Sequence, residues 1–179
     1  MVYVFLADGF EEVEALTPVD MLRRCNIEVI TVGVGNQSVI GSHGIPVLAN
    51  IQDTQLNLDD RVDMIVLPGG MPGTLNLEKN ANVQSAIDYC VQNNKYIGAI
   101  CAAPSILGHK GILDGKEATC YTGFEEQLGK AVISQKPVCV DGNIITSRGA
   151  GTAMPFAFEL VKVLTSDERV EKLIQSVLY

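Results

Sequence analysis

Four short apolar runs constrain this chain more than any other feature: Val2–Ala7, Glu28–Gly33, Asp63–Leu67 and Tyr96–Ile100. Each is strand-length, and helical or turn-rich sequence separates them. A strand that carries apolar residues on both faces belongs in a sheet covered on both sides. Strands alternating with helices build such a sheet in parallel. Further strands are expected at Glu117–Cys120, Val138–Val140 and Ile144–Ser147. The segment Val39–Ala49, with Gly41, Gly44 and Pro46 among β-branched residues, predicts a small edge hairpin.

Helical periodicity predicts helices over Glu11–Cys25 and Asn82–Asn93, a short one from Pro104, and two more over Thr152–Leu164 and Asp167–Val177. In the first, Val13, Leu16, Val19 or Asp20, and Leu22 or Arg23 are spaced for one face, and Pro18 is expected to kink or restart the helix. The reading is a single domain over residues 1–179, an α/β doubly wound sheet. Nothing in it divides the chain.

Composition narrows the setting. The longest apolar stretches are strand-sized, so no membrane span is expected. The net charge of −8, without runs of Lys or Arg, argues against a nucleic-acid partner. The opening run Val2–Ala7 lacks a basic flank and meets Asp8 at once, unlike a secretory leader. Five cysteines form no C-x-x-C pair, which fits free thiols in a reducing, cytoplasmic compartment. His43 and His109 sit near no cysteine pair with ligand spacing, so no metal site is expected. No nucleotide loop is present, and no cofactor is expected.

In a doubly wound sheet the site lies beyond the carboxyl ends of the strands. Three segments should meet there: Asp8–Glu14, Pro68–Gly73 and Cys101–Pro104. Cys101 stands in Gly98-Ala99-Ile100-Cys101-Ala102-Ala103-Pro104, where small neighbours suit a sharp strand-to-helix elbow. The following helix start would favour thiolate; the alternative is a core cysteine ending a strand. Cys25, Cys90, Cys120 and Cys139 read as packing residues. Glu14 is either first-turn acidity or, buried beside the thiol, a protonated partner. Gly69 and Gly70 are either a tight turn or, with the Ala102 N–H, an oxyanion site. Both histidines read as surface residues.

Four stretches carry a family resemblance: Asp8–Arg24 (DGFEEVEALTPVDMLRR), Val66–Gly70 (VLPGG), Ala99–Pro104 (AICAAP) and Ile145–Thr152 (ITSRGAGT). In this order they resemble the ThiJ/PfpI superfamily, nearest its parkinsonism-associated (DJ-one) branch and bacterial ThiJ-type relatives. The resemblance implies a flavodoxin-like three-layer sandwich that forms a homodimer. It implies Cys101 as nucleophile and oxidation-sensitive thiol, Glu14 as its protonated partner, and the Gly70 and Ala102 N–H groups as the oxyanion site. The implied activity is cofactor-free glyoxalase or protein deglycase chemistry on methylglyoxal or its early adducts, a small dicarbonyl or glycated substrate. Redox sensing and redox-regulated chaperoning are the alternatives. Two departures stand out: Ala102 replaces the histidine of peptidase-type members, and Tyr121 stands where the parkinsonism-associated branch has a histidine. Tyr121 is a poor base near neutral pH, so peptidase activity is not expected.

Overall fold

The computed structural model describes residues 1–179. Its centre is a seven-stranded sheet. The strands are β1 (Val2–Leu6), β2 (Val29–Gly33), β5 (Ile51–Gln52), β6 (Met64–Leu67), β7 (Tyr96–Ile100), β10 (Val138–Asp141) and β11 (Ile144–Ser147). Their order across the sheet is β10-β11-β7-β6-β1-β2-β5, and every pairing is parallel except β10 with β11. Because strand order reverses direction on either side of β1 and β6, their carboxyl ends open a crevice.

The continuous apolar runs follow from burial on both faces. Val2, Val4 and Leu6 of β1 pack to one side with helices α1 (Glu12–Arg24), α5 (Ala153–Leu164) and α6 (Asp167–Ser176). Tyr3 and Phe5 pack to the other with α3 (Ala81–Gln92) and α4 (Pro104–His109). Gly98 marks where α5 crosses β7: a Cβ there would lie 2.8 Å from a Leu160 methyl. The architecture is the expected three-layer α/β sandwich. No helix is long and apolar enough to cross a membrane.

Several local expectations differ from the structure. The predicted hairpin exists as β3 (Ser38–Ile40) and β4 (Pro46–Leu48), but it forms its own sheet, and β5 takes the edge of the main one. The strand expected at Glu117–Cys120 shrinks to β8 (Glu117–Ala118), paired with β9 (Val132–Ile133) outside the central sheet. A short helix α2 (Gly73–Lys79) follows the Pro68–Gly73 segment, where the sequence reading places no helix.

In α1 the buried residues are Ala15, Pro18, Val19, Met21 and Leu22 together with Glu12 and Glu14. Val13 and Leu16, expected to face inward, are 48% and 37% exposed. The helix turns its acidic first turn toward the sheet edge, which carries those two residues outward. Nor does Pro18 restart the helix, which runs unbroken through it. Cys25, read as a packing residue, is buried like Cys90, Cys120 and Cys139.

Candidate active site

The elbow after β7 sets the site. Cys101 has φ of 66°, a left-handed conformation that costs a side chain other than glycine roughly 1–2 kcal/mol. Neighbouring backbone holds it there: its N–H donates to the Ser147 carbonyl at 3.0 Å, and its own carbonyl accepts from Tyr121 N–H at 2.8 Å. Ala99, Ala102 and Ala103 around it are buried, where larger side chains have no room. Pro104 opens α4 without sacrificing a bonded donor.

Gly69, just after β6, packs against the thiol. A Cβ at Gly69 would lie 2.6 Å from both Cys101 Cβ and Glu14 Oε2, and 3.1 Å from the sulfur. Carboxyl and thiol therefore meet across one glycine. Gly69 N–H donates to Glu14 Oε2 at 2.9 Å, and Glu11 N–H donates to the Gly69 carbonyl at 2.9 Å, tying α1 to the strand end. Gly70 has φ of 92° and passes so close to Gly9 and Glu11 that a Cβ would fall 2.4 Å from the Gly9 carbonyl oxygen.

Glu14 is 1% exposed. Burial pushes its carboxyl up to about 7, against the hydrogen bonds it accepts from the Cys101 thiol and the Gly69 N–H; Glu11's charge adds to the rise, and Ala150 N–H opposes it. Cys101 is pushed up to about 12 by burial, then by Glu14's charge and hydrogen bond, while the Ala102 and Gly70 N–H groups pull it down. This corrects the expectation that a helix start governs the thiol. Helix α4 has only six residues and begins three positions on, so desolvation outweighs it.

Physically, the pair keeps at least one proton near neutral pH. Two adjacent buried anions repel, so sulfur becomes thiolate only as the carboxyl takes the proton. The donors expected to hold an oxyanion are already aimed at the sulfur.

A cavity of about 460 Å³ opens over Cys101, walled by Glu14, Gly70, Ala102 and Tyr121, with Glu11 and His43 at its side. Tyr121 is half exposed there, on the segment after β8 that returns to the elbow. Another cavity of about 450 Å³, at the opposite edge of the sheet beside Met1, Asp63 and Lys95, has no cysteine in its wall.

His43 is exposed, as the sequence suggests, and the fold also brings it to the side of this cavity. It lies 31 positions from Glu12, and the β3–β4 hairpin folds it back, with Nδ1 2.8 Å from Glu12 Oε2. The hairpin docks by Ser42 N–H donating to the Phe10 carbonyl at 2.8 Å. Burial works to raise Glu12, but hydrogen bonds from the His43 ring and backbone and from Ser42 outweigh it and hold the carboxyl at about 2. The Glu12 hydrogen bond and the Glu11 charge hold His43 above its ordinary value. The one sequence signal was Gly41, whose missing side chain leaves room for Glu12: a Cβ there would lie 2.2 Å from its Oε1.

Glu11, Glu12 and His43 also bring three potential ligand atoms within 4.8 Å of one another. Those atoms already bond one another and Ser42, as an ion pair does. His109 stays away from the site, paired with Glu78.

The DJ-1/PfpI family profile matches residues 1–163. The chain belongs to that family. Among its DJ-1/PfpI relatives, Drosophila melanogaster protein dj-1beta is 35% identical, over 98% of this chain and 95% of that protein. A Pyrococcus abyssi protein named as a deglycase is 32% identical, over 91% of this chain and 98% of its own length. Toxoplasma gondii DJ-1, solved in an oxidized form, superposes with a TM-score of 0.94 at 33% identity, covering 99% of this chain and 97% of that one.

Proposed function

We propose that this DJ-1/PfpI protein is a cysteine-dependent, cofactor-free enzyme of glyoxalase or deglycase type, acting on methylglyoxal or its early adducts. The observation that carries the reading is the contact between the Glu14 carboxyl and the Cys101 thiol under an open cavity. The deglycase name of the Pyrococcus relative supports it.

As the Cys101 proton passes to Glu14, sulfur bonds to the aldehyde carbon and the carbonyl electrons move onto oxygen. The Gly70 and Ala102 N–H groups stabilise that oxyanion, which takes a proton to give a hemithioacetal. Glu14 then shuttles the carbon-bound proton from C1 to C2 through an enediol, leaving a thioester. Water adds to the thioester carbon, the C–S bond breaks, and lactate and free thiol result. One carbon is oxidised as its neighbour is reduced, so the sum needs only water. An amide differs, because its amine leaves only when protonated, and His43, the histidine at the cavity side, is engaged with Glu12.

A second reading rests on the same thiol. Two equivalents of peroxide would convert Cys101 to sulfinate, which a protonated Glu14 would hydrogen-bond. The oxidized Toxoplasma neighbour makes this worth testing. A redox-regulated chaperone role has no separate signature in the chain.

We also read residues 1–179 as one domain, cytoplasmic, and working as a homodimer. Val13, Leu16, Met21 and Met154 line an open apolar hollow of about 420 Å³ on α1 and α5, a face suited to a second copy. Light scattering should give twice the 19.2 kDa chain mass at micromolar concentration. The deciding experiment for activity is lactate formed from methylglyoxal by the native protein and by Cys101→Ser side by side. Native turnover with an inert variant supports the enzyme; equal rates from both leave oxidation sensing as the better account.

A further inference from the structure

A second cavity of about 510 Å³ adjoins the Cys101 cavity and shares Tyr121 and Ala150 with it. Its remaining wall is Arg148, the Gly149–Thr152 loop, Thr122, Gln135 and Pro137, so Arg148 is its one charged residue and no carboxylate faces it. The guanidinium is held only by neutral acceptors. Its Nη2 donates to Thr122 Oγ1 at 3.1 Å, and its Nη1 donates to the Gln135 carbonyl and side-chain oxygens, both at 3.4 Å. Bonds of 3.4 Å are long and weak, and an incoming anion replaces them at small cost. In a chain of net charge −8, this is a cation left for something other than a neighbouring acid.

Topology ties this cavity to the thiol. Ser147 and Ile100 are register partners on β11 and β7, so Arg148 and Cys101 leave the sheet side by side on strands roughly 4.8 Å apart. Tyr121 stands between them. Its N–H donates to the Cys101 carbonyl at 2.8 Å, and its ring edge is 3.3 Å from where a Cβ on Gly149 would sit. A molecule with its carbonyl at Cys101 and several further bonds beyond it crosses Tyr121 and reaches the guanidinium.

We infer that Arg148 is the anion subsite of the Cys101 site, and that the preferred substrate is an α-oxoaldehyde, or its adduct, bearing a carboxylate or phosphate a few bonds from the reacting carbonyl. Planar, bidentate pairing with either group is what a guanidinium does better than an ammonium. Methylglyoxal is too short to use this contact. The substrate class rests on the dicarbonyl reading above; the anion subsite itself does not.

Two arms test it on the full chain. In the first, turnover of 4,5-dioxopentanoate is compared with that of its methyl ester, which has the same carbonyls without the charge. The acid should show a kcat/KM about tenfold higher, corresponding to roughly 1.4 kcal/mol. Arg148→Met should bring that ratio to about one, and Arg148→Lys, the variant for use if Arg148→Met fails to fold, should keep part of it. A ratio near one in the native protein, or an unchanged ratio in the variants, overturns the inference. The second arm needs no turnover. In protein labelled with nitrogen-15 arginine, the Arg148 Nε resonance, assigned by its loss in Arg148→Lys, should move on titration with glutarate and with inorganic phosphate, and stay still with dimethyl glutarate. Movement with only one of the two anions identifies which group the subsite takes. If neither dicarbonyl turns over, the proposed enzyme fails while this titration still decides the subsite; an Arg148 signal that ignores both anions overturns it.

Discussion

Cys90 and Cys101 are the same residue type, both reduced, and burial pushes both thiols up to about 12. Their surroundings differ in every other respect. Cys90 sits within regular helix α3, wholly enclosed in the apolar cluster beneath the sheet, with only the distant charge of Lys95 drawing it down. Cys101 sits at a left-handed elbow under an open cavity, beside a carboxyl that is itself raised to about 7. The acidity of the resting thiol therefore does not separate a nucleophile from a packing residue. Contact with a proton acceptor, and access for a reagent, do.

The same substitution at both sites gives the sharpest break. Cys101→Ser should abolish dicarbonyl turnover, since a hydroxyl is far harder to ionise than a thiol. Cys90→Ser should leave turnover in place and instead lower stability by about 1–3 kcal/mol, the cost of a hydroxyl among apolar side chains. Lactate assays and urea denaturation on both variants measure the two effects. Loss of turnover in Cys90→Ser at full folding would undo the contrast.

Glu14 makes the next largest difference. Its carboxyl, raised from 4.5 to about 7 by burial, binds its proton more tightly folded than unfolded. That contribution to stability is complete below pH 4.5 and is lost as pH climbs through 7. Glu14→Gln removes the titration, so its stability relative to the native chain should improve by about 3 kcal/mol at most between pH 4 and pH 8. Parallel denaturation curves at the two pH values would mean that Glu14 is not protonated in the fold.

Alkylation sharpens the matter of access. Iodoacetamide at neutral pH should label Cys101 at least about thirtyfold faster than Cys90, which needs local unfolding to react. Peptide mapping over time gives both rates. The smallest effect is expected at Tyr121→Phe, which should slow methylglyoxal turnover only about twofold, because a neutral phenol contributes one hydrogen bond and no base. A loss beyond tenfold would make Tyr121 the missing proton donor.

The linear pattern revealed the layers because β1, β6 and β7 are buried on both faces and so carry unbroken apolar runs. It was weaker where burial is partial. Helix α1 turns Val13 and Leu16 outward because its first turn delivers Glu14 to the sheet edge, and β8 is too short to leave a pattern. At the site, position after a strand or at a helix start singled out Cys101, Glu14, Gly69, Gly70 and Ala102 but left packing or turn alternatives, which the family resemblance weighed against, and the geometry brings these residues together. It did not single out His43, since a hairpin carries that residue to Glu12 from 31 positions away.

The amino-acid order by itself thus determined the α/β alternation, the edge on which the chemistry collects and the elbow that presents Cys101, because these depend on local periodicity and small residues at strand ends. Only the tertiary structure decided the direction in which the thiol acidity moves, the pairing of His43 with Glu12, and the placing of Arg148 in the wall of a cavity that no carboxylate lines. Those depend on desolvation and on distances between segments remote in the chain, and no pattern along the sequence encodes either quantity.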